Sequence, residues 1–208
     1  MLLNLITAAV GVHSPYSRIN GSQPYYLISP VTSRIPNKYL EWGDCTGGKR
    51  YDLGRCVQSH VLPASGVPPN SALWYILPEP ACNDGLPATQ CFYHILGAVA
   101  TTQPSRMLNF DYRGDVYPMQ YCRRASSGFS CDETYLATEM ARARFRVEAV
   151  SHESQQPFAD ELYYIITGPD SGMPNEMIFL NSGAFTSGWL DTWTIDLNDN
   201  QATWRIVP

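Results

Sequence analysis

One phrase occurs three times in this chain, in the same order each time. An aromatic-aliphatic run opens it: Tyr25-Tyr26-Leu27-Ile28, Phe92-Tyr93-His94-Ile95-Leu96 and Leu162-Tyr163-Tyr164-Ile165-Ile166. A second run follows: Lys38-Tyr39-Leu40-Glu41-Trp42, Arg106-Met107-Leu108-Asn109-Phe110 and Glu176-Met177-Ile178-Phe179-Leu180. An aromatic two residues before a β-branched residue closes each segment, at Trp74/Ile76, Phe145/Val147 and Trp204/Ile206. Leu40, Leu108 and Ile178 are spaced by 68 and 70 residues and the closing aromatics by 71 and 59, so the last copy is the shortest. That copy, Glu161 to Pro208, reads as four short strands: LYYIIT, EMIFLNS, LDTWTIDL and ATWRIV. Self-similarity at a fixed period marks an array or a pseudo-symmetric fold. A single unit has too little apolar face to stand alone, because a lone hairpin is marginal. Three units can close a barrel and leave no free edge.

Four strands taken three times, with aromatic closing strands, resembles the β-trefoil, a six-stranded barrel capped by three hairpins. The resemblance covers residues 23–208 and implies a single all-β domain with pseudo-repeats near 23–81, 91–155 and 161–208, preceded by an extension of residues 1–22. Residues 130–156 carry two competing signals. Ser130-Cys131-Asp132-Glu133 has the form of a helix capping box, followed by good helix formers. Phe145, Val147 and Ala149 alternate with Arg144, Arg146 and Glu148, which is the strand period. The repeat favours two strands, at about Glu133–Thr138 and Arg144–Val150.

Composition bears on location and partners. Charged residues make up 16% of the 208, with 13 Tyr, 16 Pro and 15 Gly, a turn-rich and aromatic-rich balance expected of a secreted protein. A net charge of -5 argues against a phosphate-tracking surface and hence a nucleic-acid partner. Arg142, Arg144 and Arg146 alternate, as the solvated face of a strand would. The six cysteines fall in close pairs, Cys45/Cys56, Cys82/Cys91 and Cys122/Cys131. Such pairs point to disulfides and an oxidising compartment. Each local bridge would close a loop of about ten residues and contribute about 2–3 kcal/mol. The first and last pairs are expected at one place, between second and third strands. A metal reading has little support, since there is no C-x-x-C and His13, His60, His94 and His152 are scattered.

Residues 1–12, MLLNLITAAVGV, are apolar but too short to span a bilayer. They read either as a secretory h-region, although no Lys or Arg precedes it, or as an arm through which residues 1–22 self-associate. Asn20-Gly21-Ser22 is a glycosylation sequon in a secreted chain.

The chain has no phosphate loop, no G-x-S-x-G and no metal box. It is expected to be no enzyme and to need no cofactor. Two binding readings follow from the trefoil resemblance. Gln201-Ala202-Thr203-Trp204 resembles, with one extra spacer, the Q-x-W signature of ricin-B-type lectins. In those lectins an Asp from the first hairpin loop meets an aromatic and an Asn from the next hairpin. That implies a glycan site of Asp170, Trp189, Trp193, Asp196 and Asn198. Sugars need such a set, since they offer an apolar CH face ringed by hydroxyls. The plainer reading makes Trp193 a core residue and Asp196 and Asn198 turn residues. The other reading is a protease inhibitor presenting Asn83, Asp84, Gly85, Leu86 and Pro87 inside the Cys82–Cys91 loop. Trefoil inhibitors of the Kunitz type use the loop between fourth and fifth strands, and mycocypins also place inhibitory loops on this fold. A clamped loop loses little freedom on docking.

Overall fold

The computed structural model describes residues 19–33, 35–42, 57–79, 82, 90–98, 107–110, 116–119, 122–125, 128–131, 143–150, 162–181, 189–194 and 202–208, with backbone alone for 109–131, 181 and 189–194. The described residues form fourteen strands: β1 (Pro24–Ile28), β2 (Lys38–Trp42), β3 (Val57–Val61), β4 (Leu73–Pro78), β5 (Tyr93–Gly97), β6 (Met107–Phe110), β7 (Val116–Met119), β8 (Cys122–Ala125), β9 (Gly128–Cys131), β10 (Phe145–Ala149), β11 (Leu162–Thr167), β12 (Glu176–Asn181), β13 (Trp189–Thr194) and β14 (Thr203–Val207). A 3-10 turn at Asn70–Ala72 leads into β4.

Six strands close on themselves. β1 pairs with β4, β4 with β5, β5 with β10, β10 with β11, β11 with β14, and β14 with β1 again. Every pairing is antiparallel, so the ring leaves no edge for another chain to extend. A hairpin hangs on every second member: β2–β3 on β1, β6–β7 on β5 and β12–β13 on β11. The hairpins of the first and last also touch, through Trp189 opposite Gln58.

Strand alternation explains what fills the ring. Along β10, Phe145, Val147 and Ala149 are buried while Arg146 and Glu148 are not, the two-residue period of a pleated strand. β1 and β11 are buried on both faces. Tyr25 and Leu27, like Tyr163 and Ile165, enter the main core; Tyr26 and Ile28, like Tyr164 and Ile166, enter smaller outer clusters. Three aromatic pairs recur across the ring: Tyr25 opposite Trp74, Tyr93 opposite Phe145 and Tyr163 opposite Trp204. The indole N–H of Trp74 donates to the Leu40 carbonyl at 3.1 Å, and that of Trp204 to the Ile178 carbonyl at 2.9 Å. These bonds anchor a hairpin to the closing strand inside the core.

The middle of the chain departs from expectation. The strand that completes a hairpin with β6 is β7, at 116–119, ahead of the place assigned to it. An additional hairpin, β8–β9, follows it and stands outside the main sheet. Cys122 and Cys131 face each other across that extra hairpin, after the third strand, so they do not share the place of Cys45 and Cys56. The closing strand β10 lies where the alternation put it. Residues 133–138, Cys45, Cys56 and residues 1–18 lie outside the described residues. No helix among the described residues is long and apolar enough to cross a membrane.

Candidate functional site

Two hairpin loops, β1–β2 and β11–β12, are built alike. The last residue before each loop is a buried hydroxyl, Ser29 or Thr167. Ser29 Oγ donates to the Ile35 carbonyl at 2.6 Å and accepts the Lys38 N–H at 3.0 Å. Thr167 Oγ1 donates to the Met173 carbonyl and accepts the Glu176 N–H at 2.9 Å. The residue before each second strand is left-handed, Asn37 at φ 55° and Asn175 at φ 57°. Asparagine tolerates that region better than most side chains. Each of these asparagines donates its N–H back to the carbonyl of the clasping residue, at 3.1 and 3.2 Å. Ile28 sits opposite Tyr39, Leu96 opposite Met107 and Ile166 opposite Met177, so all three strand-to-hairpin loops have one length. In that register Pro36, Pro104 and Pro174 coincide, and Asp170 stands where the others carry Thr32 and Ala100.

Asp170 is therefore a carboxylate on a stapled loop, with 58% of its side chain exposed. Behind it lies Arg144, just before β10. The Gly168 N–H donates to the Arg144 carbonyl at 2.7 Å. The approach is so close that a Cβ at 168 would lie 2.9 Å from Arg144 Cβ, so the position requires glycine. The guanidinium of Arg144 has Nη1 4.0 Å from Asp170 Oδ2 and Nε 2.6 Å from Glu79 Oε1. Its Cζ lies 5.7 Å from the centre of the Phe92 ring. Glu79 also receives the buried His94, whose Nε2 is 3.2 Å from Oε1 and whose Nδ1 is 3.1 Å from the Ala143 carbonyl oxygen. The hydrogen bond from His94 holds the Glu79 carboxyl below the usual carboxylate range; partial burial opposes this, and the hydrogen bond and charge of Arg144 reinforce it. Arg144 and Arg146 are thus not a plain solvated face, and Arg142 lies outside the described residues. Arg144 is fixed between carboxylates, and Arg146 Nε lies 3.5 Å from Glu148 Oε1.

Of the expected glycan residues, Asp170 is described in full. Trp193 sits opposite Met177 and Trp189 opposite Asn181, on a strand whose end, Thr194, faces Glu176. The register therefore brings the end of β13 to the same end of β12 as the Asp170 loop. Asp196 and Asn198 lie outside the described residues, as do Asn83, Asp84, Gly85, Leu86 and Pro87. The bridge expected at the base of that last group is present: Cys82 is bonded to Cys91. Asn20 is exposed, and its Oδ1 accepts the Ser22 N–H at 2.9 Å within the sequon. Glu79, His94 and Arg144 are the residues that reading the sequence missed. The signal was available for one of them, because repeat alignment sets His94 where the outer face of the ring otherwise has Tyr26 and Tyr164. Among the described residues no group of three or more His, Cys, Asp or Glu could hold a metal ion.

No protein-family model matches the chain, and no curated protein matches it at a significant level. Among solved structures it is similar to ThreeFoil, a designed 3-fold symmetric protein, at 12% identity over 91% of this chain and 99% of that one, with a TM-score of 0.49. It is similar also to the Polyporus squamosus lectin bound to a human-type influenza-binding epitope, at 14% identity over 88% of this chain and 48% of that one, TM-score 0.47. A third likeness is to an apo crystal form of the BEL β-trefoil, at 9% identity over 88% and 91% of the two chains, TM-score 0.45. These distances leave the fold to rest on strand pairing itself. A ring of six antiparallel strands with a hairpin on every second one is the β-trefoil arrangement, and the chain is a β-trefoil protein.

Proposed function

We propose that this is a secreted, threefold β-trefoil of lectin type, without catalytic activity, that binds glycans beside the β11–β12 loop. The three units run near 23–81, 91–155 and 161–208, each a ring strand, a hairpin and a closing ring strand, with β8–β9 inserted in the second. The observation that carries the binding reading is Asp170: an exposed carboxylate held on a rigid loop, at the end of the hairpin where β13 delivers Trp193. A carboxylate of this kind accepts from sugar hydroxyls, and an aromatic takes the CH face. The charge of Arg144 is already engaged by Glu79, and Asp170 adds a second carboxylate. The surface therefore favours neutral saccharides over sialylated or sulfated ones. A glycan array probed with the purified chain tests this. Binding to neutral saccharides, lost in Asp170→Asn and in Trp193→Ala, is the expected result. A blank array, or binding untouched by Trp193→Ala, ends the reading.

One observation favours a second reading. The loop 82–91 is closed by its disulfide, and its legs are tied, with Glu79 N–H donating to the Phe92 carbonyl and Cys82 N–H to the Glu79 carbonyl, both at 2.9 Å. A base so fixed suits a protease inhibitor. Incubation with serine and cysteine proteases decides it, inhibition having to disappear when the loop 83–90 is replaced by glycine and serine.

A further inference from the structure

We infer that Arg144 is a positioning residue that couples the Asp170 loop to the base of the disulfide-closed loop, at Glu79, Cys82 and Phe92. The two loops belong to different units and are distant in sequence, yet each is fixed to the same side chain. On one side, the Arg144 carbonyl takes the Gly168 N–H at 2.7 Å, and Nη1 stands 4.0 Å from Asp170 Oδ2. On the other, Nε donates to Glu79 Oε1 at 2.6 Å. Glu79 in turn is tied by its backbone to both legs of the disulfide loop, at Cys82 and Phe92. The Phe92 ring, one residue past Cys91, lies under the guanidinium at 5.7 Å. His94, buried on β5, braces Glu79 from behind. Asp170, Arg144, Glu79 and His94 thus stand in series, with Arg144 bonded to Glu79 at 2.6 Å and Asp170 farther off at 4.0 Å.

The planar fork of arginine is what allows this. It offers several donors in fixed directions, so one guanidinium can hold Glu79 with Nε and still direct Nη1 at Asp170. A lysine carries the same charge but cannot hold both directions. Displacing either leg of the disulfide loop moves Glu79, hence the guanidinium, hence Asp170. The Cys82–Cys91 bridge therefore conditions the affinity for a ligand seated on Asp170.

Amide hydrogen exchange on the full chain tests the coupling without any ligand. Arg144→Lys should speed exchange at Gly168 and Ser171 roughly 10- to 100-fold, the cost of losing a charge-assisted bond, and leave Asn37 in the β1–β2 loop unchanged. The double variant Cys82→Ser/Cys91→Ser should speed the same two amides, and the combined variant should fall short of the product of the two effects. Unchanged Gly168 exchange after removal of the bridge overturns the inference, and so does a speeding of Asn37 equal to that of Gly168. For the glycan the inference rests on the reading proposed above, so binding of the same variants to neutral saccharides on an array is the second readout. Coupled exchange with a blank array sinks the glycan reading alone; binding without coupled exchange sinks this one alone.

Discussion

The β1–β2 and β11–β12 loops share a scaffold and differ in what it carries. Both are clasped by a buried hydroxyl, both end on a left-handed asparagine, and both lead into a hairpin anchored by an indole of a closing strand. The first carries Thr32 and begins with Pro30; the third carries Asp170 and begins with Gly168. Counting from the closing aromatics, the place of Arg144 is taken by Leu73 on β4 and by Thr203 on β14, and Thr203 is buried. Pro30 has no N–H to give, whereas Ala98 and Gly168 donate theirs to the carbonyls of Leu73 and Arg144 at 3.0 and 2.7 Å. What holds the loop is shared, and the exposed carboxylate with a guanidinium behind it is confined to one copy. On the reading proposed above, stability and specificity reside in separable residues.

The comparison is tested most severely in the core. Trp74 and Trp204 are each 1% exposed or less, so replacing either by alanine should cost about 3–5 kcal/mol, read from urea melts. The milder Trp→Phe change keeps an aromatic ring of smaller volume and strips the donor from the Leu40 or Ile178 carbonyl, at a cost of about 1–3 kcal/mol. Phe145 shows that the ring admits a phenyl at this place. The two Trp→Phe costs should match within about a factor of two; a large disparity breaks the equivalence of the units. Next come the clasps. Ser29→Ala and Thr167→Val remove the side-chain acceptor of the Lys38 and Glu176 N–H groups, and each should cost about 1–3 kcal/mol. A neutral result at one position, with a full cost at the other, would show that the loops only look alike.

The scaffold half of this comparison is open to reading in the sequence, and the contacts of Arg144 are not. Leu40, Leu108 and Ile178 reveal the three hairpins because burial in a pleated strand forces a repeat of residue type. Asp170 was legible for a related reason: a carboxylate in a turn of fixed length stands out against Thr32 and Ala100. Arg144 was misread as a solvated strand residue. Its partner Glu79 lies far off in sequence and carries no pattern, since a single ion pair imposes no period. The β8–β9 hairpin was missed because its polar residues make no alternation with the core. Cys122 and Cys131 announced a closed loop there but not its order relative to β7.

A smaller effect separates the two loops by pH. Glu79 has its folded pKa below the unfolded value, chiefly through the His94 hydrogen bond. Its contribution to stability is therefore full above the ordinary carboxyl pKa and is lost as pH falls through the folded one. Urea midpoints measured from neutral pH downward should show an acid loss that Glu79→Gln reduces. Exchange at Gly168 should quicken over that same window while Asn37 does not follow. An acid limb unaltered in Glu79→Gln would remove this carboxylate from the account.

The smallest expected effect is the most informative about binding. Asp170 is largely exposed and its contact with Arg144 is long, so Asp170→Asn should alter stability by no more than about 0.5 kcal/mol. Its consequence is for the ligand: glycan binding should vanish from a protein that melts as before. Thr32→Asp, added to that variant, sets a carboxylate at the matching place on a loop of the same build. Thr203 stands where Arg144 does in the other unit, so that place supplies no guanidinium. Binding should therefore stay absent on the array. Should it return, the clasped loop and one carboxylate are sufficient by themselves, and the difference between the two regions reduces to a single side chain.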